Sequence, residues 1–140
     1  MVYKFERKIN YYETDKMGVV HHSNYIRFLE EARCQFLDDI GLPYSTIEDS
    51  GIMIPVLGVN CSYKYHVTFN DTLVINLAIT EFSGVKMKVN YILTDKKTGA
   101  TVMIAETKHC FTDKNMKPIS LKKHFPDMFE KIENIVDELK

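Results

Sequence analysis

Apolar side chains recur at three- and four-residue steps between Tyr25 and Ile40. Tyr25, Phe28, Leu29, Ala32, Phe36 and Ile40 thereby fall on one face of an α-helix. Charged Arg27, Glu30, Glu31, Arg33, Asp38 and Asp39 fill much of the remaining surface. Ser23 and Asn24 offer N-cap side chains, and Gly41 followed by Pro43 offers a stop. A stripe several turns long with polar flanks must bury one face against something broad, and a sheet is the natural partner.

The remaining chain supplies strands. Val2 to Tyr12 alternates loosely, and its aromatic and β-branched content predicts a first strand. Met53 to Tyr65, Thr72 to Phe82, Lys86 to Asp95 and Thr101 to Asp113 read as four more. They are separated by Asn70-Asp71, Ser83-Gly84 and Lys96 to Gly99, so three hairpin connections and a meander are expected. Val74, Ile75, Leu77 and Ile79, then Val85, Met87, Val89, Tyr91 and Leu93, prolong the apolar alternation past the usual strand length of about five to six residues. Pro126 to Lys140 returns to helical spacing through Met128, Phe129, Ile132, Ile135, Val136 and Leu139. No repeat or Gly/Ser linker interrupts this order, which predicts one α+β domain over residues 1–140.

Composition narrows the function. The 140 residues, 45% hydrophobic and 26% charged, match an ordinary globular domain with a real core. Eighteen Lys+Arg against nineteen Asp+Glu give a formal charge of -1, without the basic excess that sequence-independent nucleic-acid binders use. The run Ile52 to Val59 is interrupted by Pro55 and Gly58 and falls well short of the ~20 residues of a membrane span. Met1 to Asn10 carries no apolar leader, so a cytoplasmic address is expected. Cys34, Cys61 and Cys110 are scattered, which reads as free, apolar-like thiols rather than a zinc or redox pair.

The densest chemistry lies between the first strand and the first helix, from Tyr11 to Tyr25. An acid on a loop (Asp15), a glycine (Gly18) and a helix start place a carboxylate beside free backbone N–H groups. Those donors and the helix dipole can hold a carbonyl oxygen as it gains negative charge, while the carboxylate attacks or activates water. Taken alone, Asp15 is equally a turn or capping carboxylate. His21 and His22 are adjacent, their side chains are expected to diverge, and no third ligand lies at a metal-binding spacing. Solitary His66, His109 and His124 read as surface or sheet residues. Lys64, Lys86 and Lys88 sit on predicted strands, where they are either solvated or available to phosphate.

The run Tyr12-Glu13-Thr14-Asp15, Gly18-Val19-Val20, His22 and Tyr25, followed by Glu30 and Ala32-Arg33, resembles the active-site signature of the 4-hydroxybenzoyl-CoA thioesterase group of hotdog proteins. Within that group the run resembles the bacterial acyl-CoA thioesterases associated with the Tol-Pal cluster. The likeness continues more weakly through Val59 to Ile75 and Ala105 to His109. It implies a hotdog fold, a long helix wrapped by a curved antiparallel sheet, and hydrolysis of acyl-CoA to free acid and CoA.

By position, the resemblance makes Asp15 the nucleophile or general base and the backbone N–H near His22 the carbonyl-polarising donor, with the His22 ring orienting water or the acid. Gly18 shapes the turn and, with Val19, Tyr25 and Tyr12, contributes to substrate binding, Tyr25 and Tyr12 as walls of the acyl site; beside the resemblance, Lys86 and Lys88 are candidate phosphate contacts by their charge alone. It implies no metal and no cofactor, since coenzyme A is part of the substrate. The expected partners are acyl-CoA and further copies of the chain, paired sheet edge to sheet edge as a homodimer or homotetramer. Members acting on aromatic acyl groups have apolar or aromatic residues where this chain has His21 and His22, which leaves short to medium acyl chains open. The alternatives are an acyl carrier protein thioesterase, with Lys122, Lys123 and His124 facing the acidic carrier, a hydratase on the same fold, or a non-catalytic acyl-CoA-binding protein.

Overall fold

The computed structural model describes residues 3–139, so Val2 and Lys140, included in the predicted end elements, lie outside the described residues. The elements are β1 (Tyr3–Lys8), a 3-10 turn (Tyr11–Glu13), α1 (His22–Asp39), α2 (Tyr44–Asp49), β2 (Val56–Tyr63), β3 (Thr72–Phe82), β4 (Lys86–Asp95), β5 (Thr101–Cys110), α3 (Leu121–His124) and α4 (Pro126–Leu139). All five strands form one antiparallel sheet in the order β1-β3-β4-β5-β2.

This order corrects the expected four-strand meander. Only β3, β4 and β5 follow one another as hairpins. β1 occupies the free edge of β3, with Phe5 opposite Ile75, so β2 crosses to the far edge and pairs with β5, Cys61 opposite Ala105. The first strand also ends earlier than predicted. Beyond Lys8 the chain turns, because the Glu13 side chain reaches back to accept the Asn10 N–H at 2.8 Å.

Helix α1 buries Tyr25, Phe28, Leu29, Ala32 and Phe36, as its periodicity predicts. They meet Leu73, Ile75, Leu77, Ile79, Val89, Tyr91 and Leu93 from the inner sheet face in a single core. The helix closes at Gly41, whose φ of +83° is left-handed, with Leu42 N–H donating to the Leu37 carbonyl at 2.8 Å. Its start differs from the prediction. The N-cap is His21, whose Nδ1 accepts the Ser23 N–H at 3.2 Å, and the helix begins at His22. At the other end of the chain α4 buries Ile132 and Val136 and stacks Phe129 on Phe82 at 5.3 Å.

Candidate active site

Asp15 opens a tight turn. Its N–H donates to the Val19 carbonyl at 2.8 Å, and its own carbonyl accepts the Gly18 N–H at 3.0 Å. Gly18 has φ +79°, a conformation that costs other L-residues. One oxygen of the Asp15 side chain, Oδ1, accepts the Met17 N–H at 2.8 Å. The turn is anchored on both sides. Val20 N–H donates to the Val67 carbonyl at 3.0 Å, and Asn24 Nδ2 of the helix start donates to the Glu13 carbonyl at 2.9 Å.

The start of α1 divides its amides unequally. His21 N–H is bonded to the Glu13 carbonyl at 2.9 Å and Ser23 N–H to the His21 ring. Among the described residues nothing accepts the His22 N–H. That donor, at the positive end of an 18-residue helix, is therefore free for a ligand oxygen.

A shallow cleft of about 360 Å³ brings together Asp15, Val19, His22 and Tyr25 with Tyr63 and His66. Asp15 is half-buried and His22 exposed. Tyr25 is 4% exposed, packed against Phe28 and Tyr63 at ring separations of 5.8 and 5.4 Å. Burial, with a smaller contribution from Tyr63, pushes its phenol up to about 12, so it presents a neutral ring.

The other expected site residues lie elsewhere. Tyr12 is 80% exposed, its hydroxyl accepting from Asn10 Nδ2 at 3.1 Å. Lys86 and Lys88 line a different cleft, with Lys108 and His109, and Lys88 is paired with Glu81 at 3.1 Å. Lys64 does line the Asp15 cleft. Tyr63, Tyr65 and His66, also in its wall, come from the end of β2 and the following loop. No local motif marks them, since only the crossover of β2 brings that segment to the turn. The expected divergence of His21 and His22 is corrected too. His21 is extended while His22 is helical, and the change of direction stacks their rings at 4.4 Å. Among the described residues no group of three or more His, Cys, Asp or Glu side chains could hold a metal ion.

Residues 9–132 match the family model described as the thioesterase-like superfamily. The chain belongs to this superfamily. A protein of Aquifex aeolicus, provisionally named an esterase, is 39% identical over 88% of this chain and 94% of its own length. One of Bacillus subtilis, provisionally named an acyl-CoA thioesterase, is 32% identical over 90% and 91%. Among solved structures, a DHNA-CoA thioesterase of Staphylococcus aureus superposes with TM-score 0.90 at 28% identity, covering 96% of this chain and 90% of that one. The fold is the hotdog fold that the resemblance implied.

Proposed function

We propose that this thioesterase-family chain hydrolyses acyl-CoA thioesters, with Asp15 and the His22 N–H acting on one carbonyl. The observation that carries the reading is the shared cleft, in which the Asp15 carboxylate and the unpaired amide end of α1 stand together. The His22 N–H and helix dipole stabilise the oxygen that becomes negative when the carbonyl turns tetrahedral. Asp15 either attacks the carbonyl carbon, releasing CoA thiolate and leaving an anhydride that water cleaves, or takes a proton from the attacking water. Both routes consume one water and yield free acid and CoA, and neither requires a metal or cofactor. The His22 ring orients water, and Tyr25 walls the acyl group. Lys64, at the rim, offers a cation to the CoA phosphates. Such substrates and free thiols suit the cytoplasm.

The working unit in this reading is a pair of chains. β2 is one of the sheet's two edge strands, and its Val56, Leu57, Val59 and Tyr63 are 42–56% exposed. A bare apolar edge of this length invites a further strand. Antiparallel pairing with a second β2 about Val59 and Asn60 would cover it and set a second chain against the open side of the Asp15 cleft. Lys86 and Lys88, remote from Asp15 in their own chain, can then meet the CoA moiety bound to the other.

The deciding experiment follows free thiol release from a panel of acyl-CoAs. Asp15→Asn is expected to lose at least about a hundredfold in kcat while melting as the parent does. Full activity in this variant would end the assignment. Oxygen-18 appearing in the Asp15 carboxylate during a single turnover would identify the nucleophilic route, and its absence the general-base route.

A further inference from the structure

A second cavity, of about 230 Å³, lies between α1 and the start of β2. Leu37, Ile54, Val56 and Met87 give it apolar walls, and Arg33 of α1 brings a cation to it. The guanidinium is held from the core side. Its Nη1 donates to the Tyr91 hydroxyl at 3.0 Å, and that hydroxyl lies 2.7 Å from Thr107 Oγ1, itself 2.8 Å from His109 Nε2. Tyr91, Thr107 and His109 are 0%, 1% and 2% exposed, so Arg33 stands on a fixed, buried support.

That support carries no negative charge. Burial, and secondarily the Arg33 charge itself, lower the His109 pKa to about 4, so the ring is uncharged near neutral pH. Among the described residues no carboxylate pairs with Arg33, whereas Arg7 on the neighbouring strand holds both Glu13 and Glu31. A guanidinium carries five N–H donors. One is used on Tyr91, and the other four have no acceptor among the described residues. Nε and Nη2 are not sealed in the core, since neither is among the buried side-chain atoms that lack a partner. A ligand in the cavity therefore reaches them. A cation partly withdrawn from water without a counter-ion is costly, and an anion that enters beside it removes the cost.

The geometry points to Arg33 as a specificity residue: it pairs with a carboxylate at the far end of the acyl group, which makes CoA half-thioesters of short dicarboxylic acids the preferred substrates. A carboxylate matches the planar fork of a guanidinium and accepts two parallel N–H bonds, which a terminal methyl leaves unmade. The apolar walls cover the linking methylenes and keep water from the pair. Glu30 also lines the cavity, but it is exposed and solvent weakens its repulsion. Dry cavities of about 150 Å³ hold benzene, so this one has room for a short chain and its terminal carboxylate. The inference rests on the thioester-hydrolase reading and on β2 pairing with a second copy. Val56 lines the Arg33 cavity and Tyr63 the Asp15 cleft. Antiparallel pairing sets the Val56 end of one strand beside the Tyr63 end of the other, so the cavity of one chain continues the Asp15 cleft of its partner.

The test compares acyl-CoAs of one chain length that end in a carboxylate, an amide or a methyl group. The intact protein, which needs no variant to fold, is expected to favour the carboxylate by about tenfold to a hundredfold in kcat/KM, the scale of one hydrogen bond to a charged group. Turnover without that preference overturns the inference alone, and no turnover of any member overturns the hydrolase reading beneath it. Arg33→Met should bring the ratio towards one, and Arg33→Lys, which keeps the charge without the fork, should recover part of it. A parent-like ratio in Arg33→Met overturns the assignment to Arg33. Should Arg33→Met fail to fold because Tyr91 loses its donor, Arg33→Lys decides: a reduced ratio supports the assignment and an unchanged one overturns it.

Discussion

The Arg7 guanidinium clamps the buried Glu13 carboxylate, two residues before Asp15, at the point where β1 hands the chain to the Asp15 turn. The same guanidinium bonds Glu31 of α1 through Nε at 2.9 Å and Nη2 at 3.2 Å, and lies 4.4 Å over the Phe28 ring. One side chain thus ties strand, turn and helix together. Losing the Glu13 carboxylate leaves Arg7 paired with Glu31 but strands the Asn10 N–H that Glu13 accepts, which costs about 1–3 kcal/mol. Glu13→Ala is expected to lose stability on that scale in urea titrations. Its kcat should fall even at temperatures where it stays folded, because the turn bearing Asp15 loses its anchor.

Gly18 gives a smaller and sharper effect. A Cβ there meets nothing within 4 Å, so Gly18→Ala adds no clash and only imposes φ +79° on a residue with a side chain. The expected penalty is about 1–2 kcal/mol. It should appear as a lower melting temperature, with kcat reduced more than KM raised, since the turn sets the acid's position. An unchanged kcat would mean that Asp15 tolerates a relaxed turn.

Placing lysine at Leu57 and Val59 together charges the bare β2 edge and opposes strand addition. Sedimentation should then give a monomer where the parent gives a dimer. Thiol release should drop in parallel, because the cleft would lose the wall that a second copy contributes. A fully active monomer would contradict the shared-cleft arrangement.

His109 makes stability depend on pH in a definite direction. Its folded pKa, about 4, lies below the ordinary 6.5, so the unfolded chain binds the proton more tightly. Stability is unaffected above about pH 6.5 and falls as pH drops from there towards about 4, by roughly 3 kcal/mol in all at about 1.4 kcal/mol per unit. Comparing urea midpoints at pH 7 and pH 5 in the parent and in His109→Gln isolates this share. The parent should lose more on acidification than the variant.

The sequence carries α1 almost completely, because Tyr25, Phe28, Leu29, Ala32 and Phe36 repeat over several turns and Gly41 ends them. It carries the hairpins of β3, β4 and β5 through their turn residues. The place of β2 was not legible there, since alternation tells which face a residue occupies and not which strand lies beside it. α2 and α3, of six and four residues, have too few apolar positions to show a period. His21 escaped as an N-cap because capping preferences favour Ser, Asn and Asp, although a neutral imidazole nitrogen accepts as well. Asp15, Gly18 and His22 were conspicuous as neighbours in the chain. Tyr63 and His66 had no such signal.

The crossing of β2 to the far edge also governs when a working molecule first exists. The β3–β5 hairpins close short loops, whereas β1 and β2 must each travel to opposite flanks before either gains a ladder. The Asp15 cleft draws one wall from the segment after β1 and the other from the end of β2. Nascent or partly assembled chains therefore lack it, and the appearance of turnover during refolding would time the last docking step.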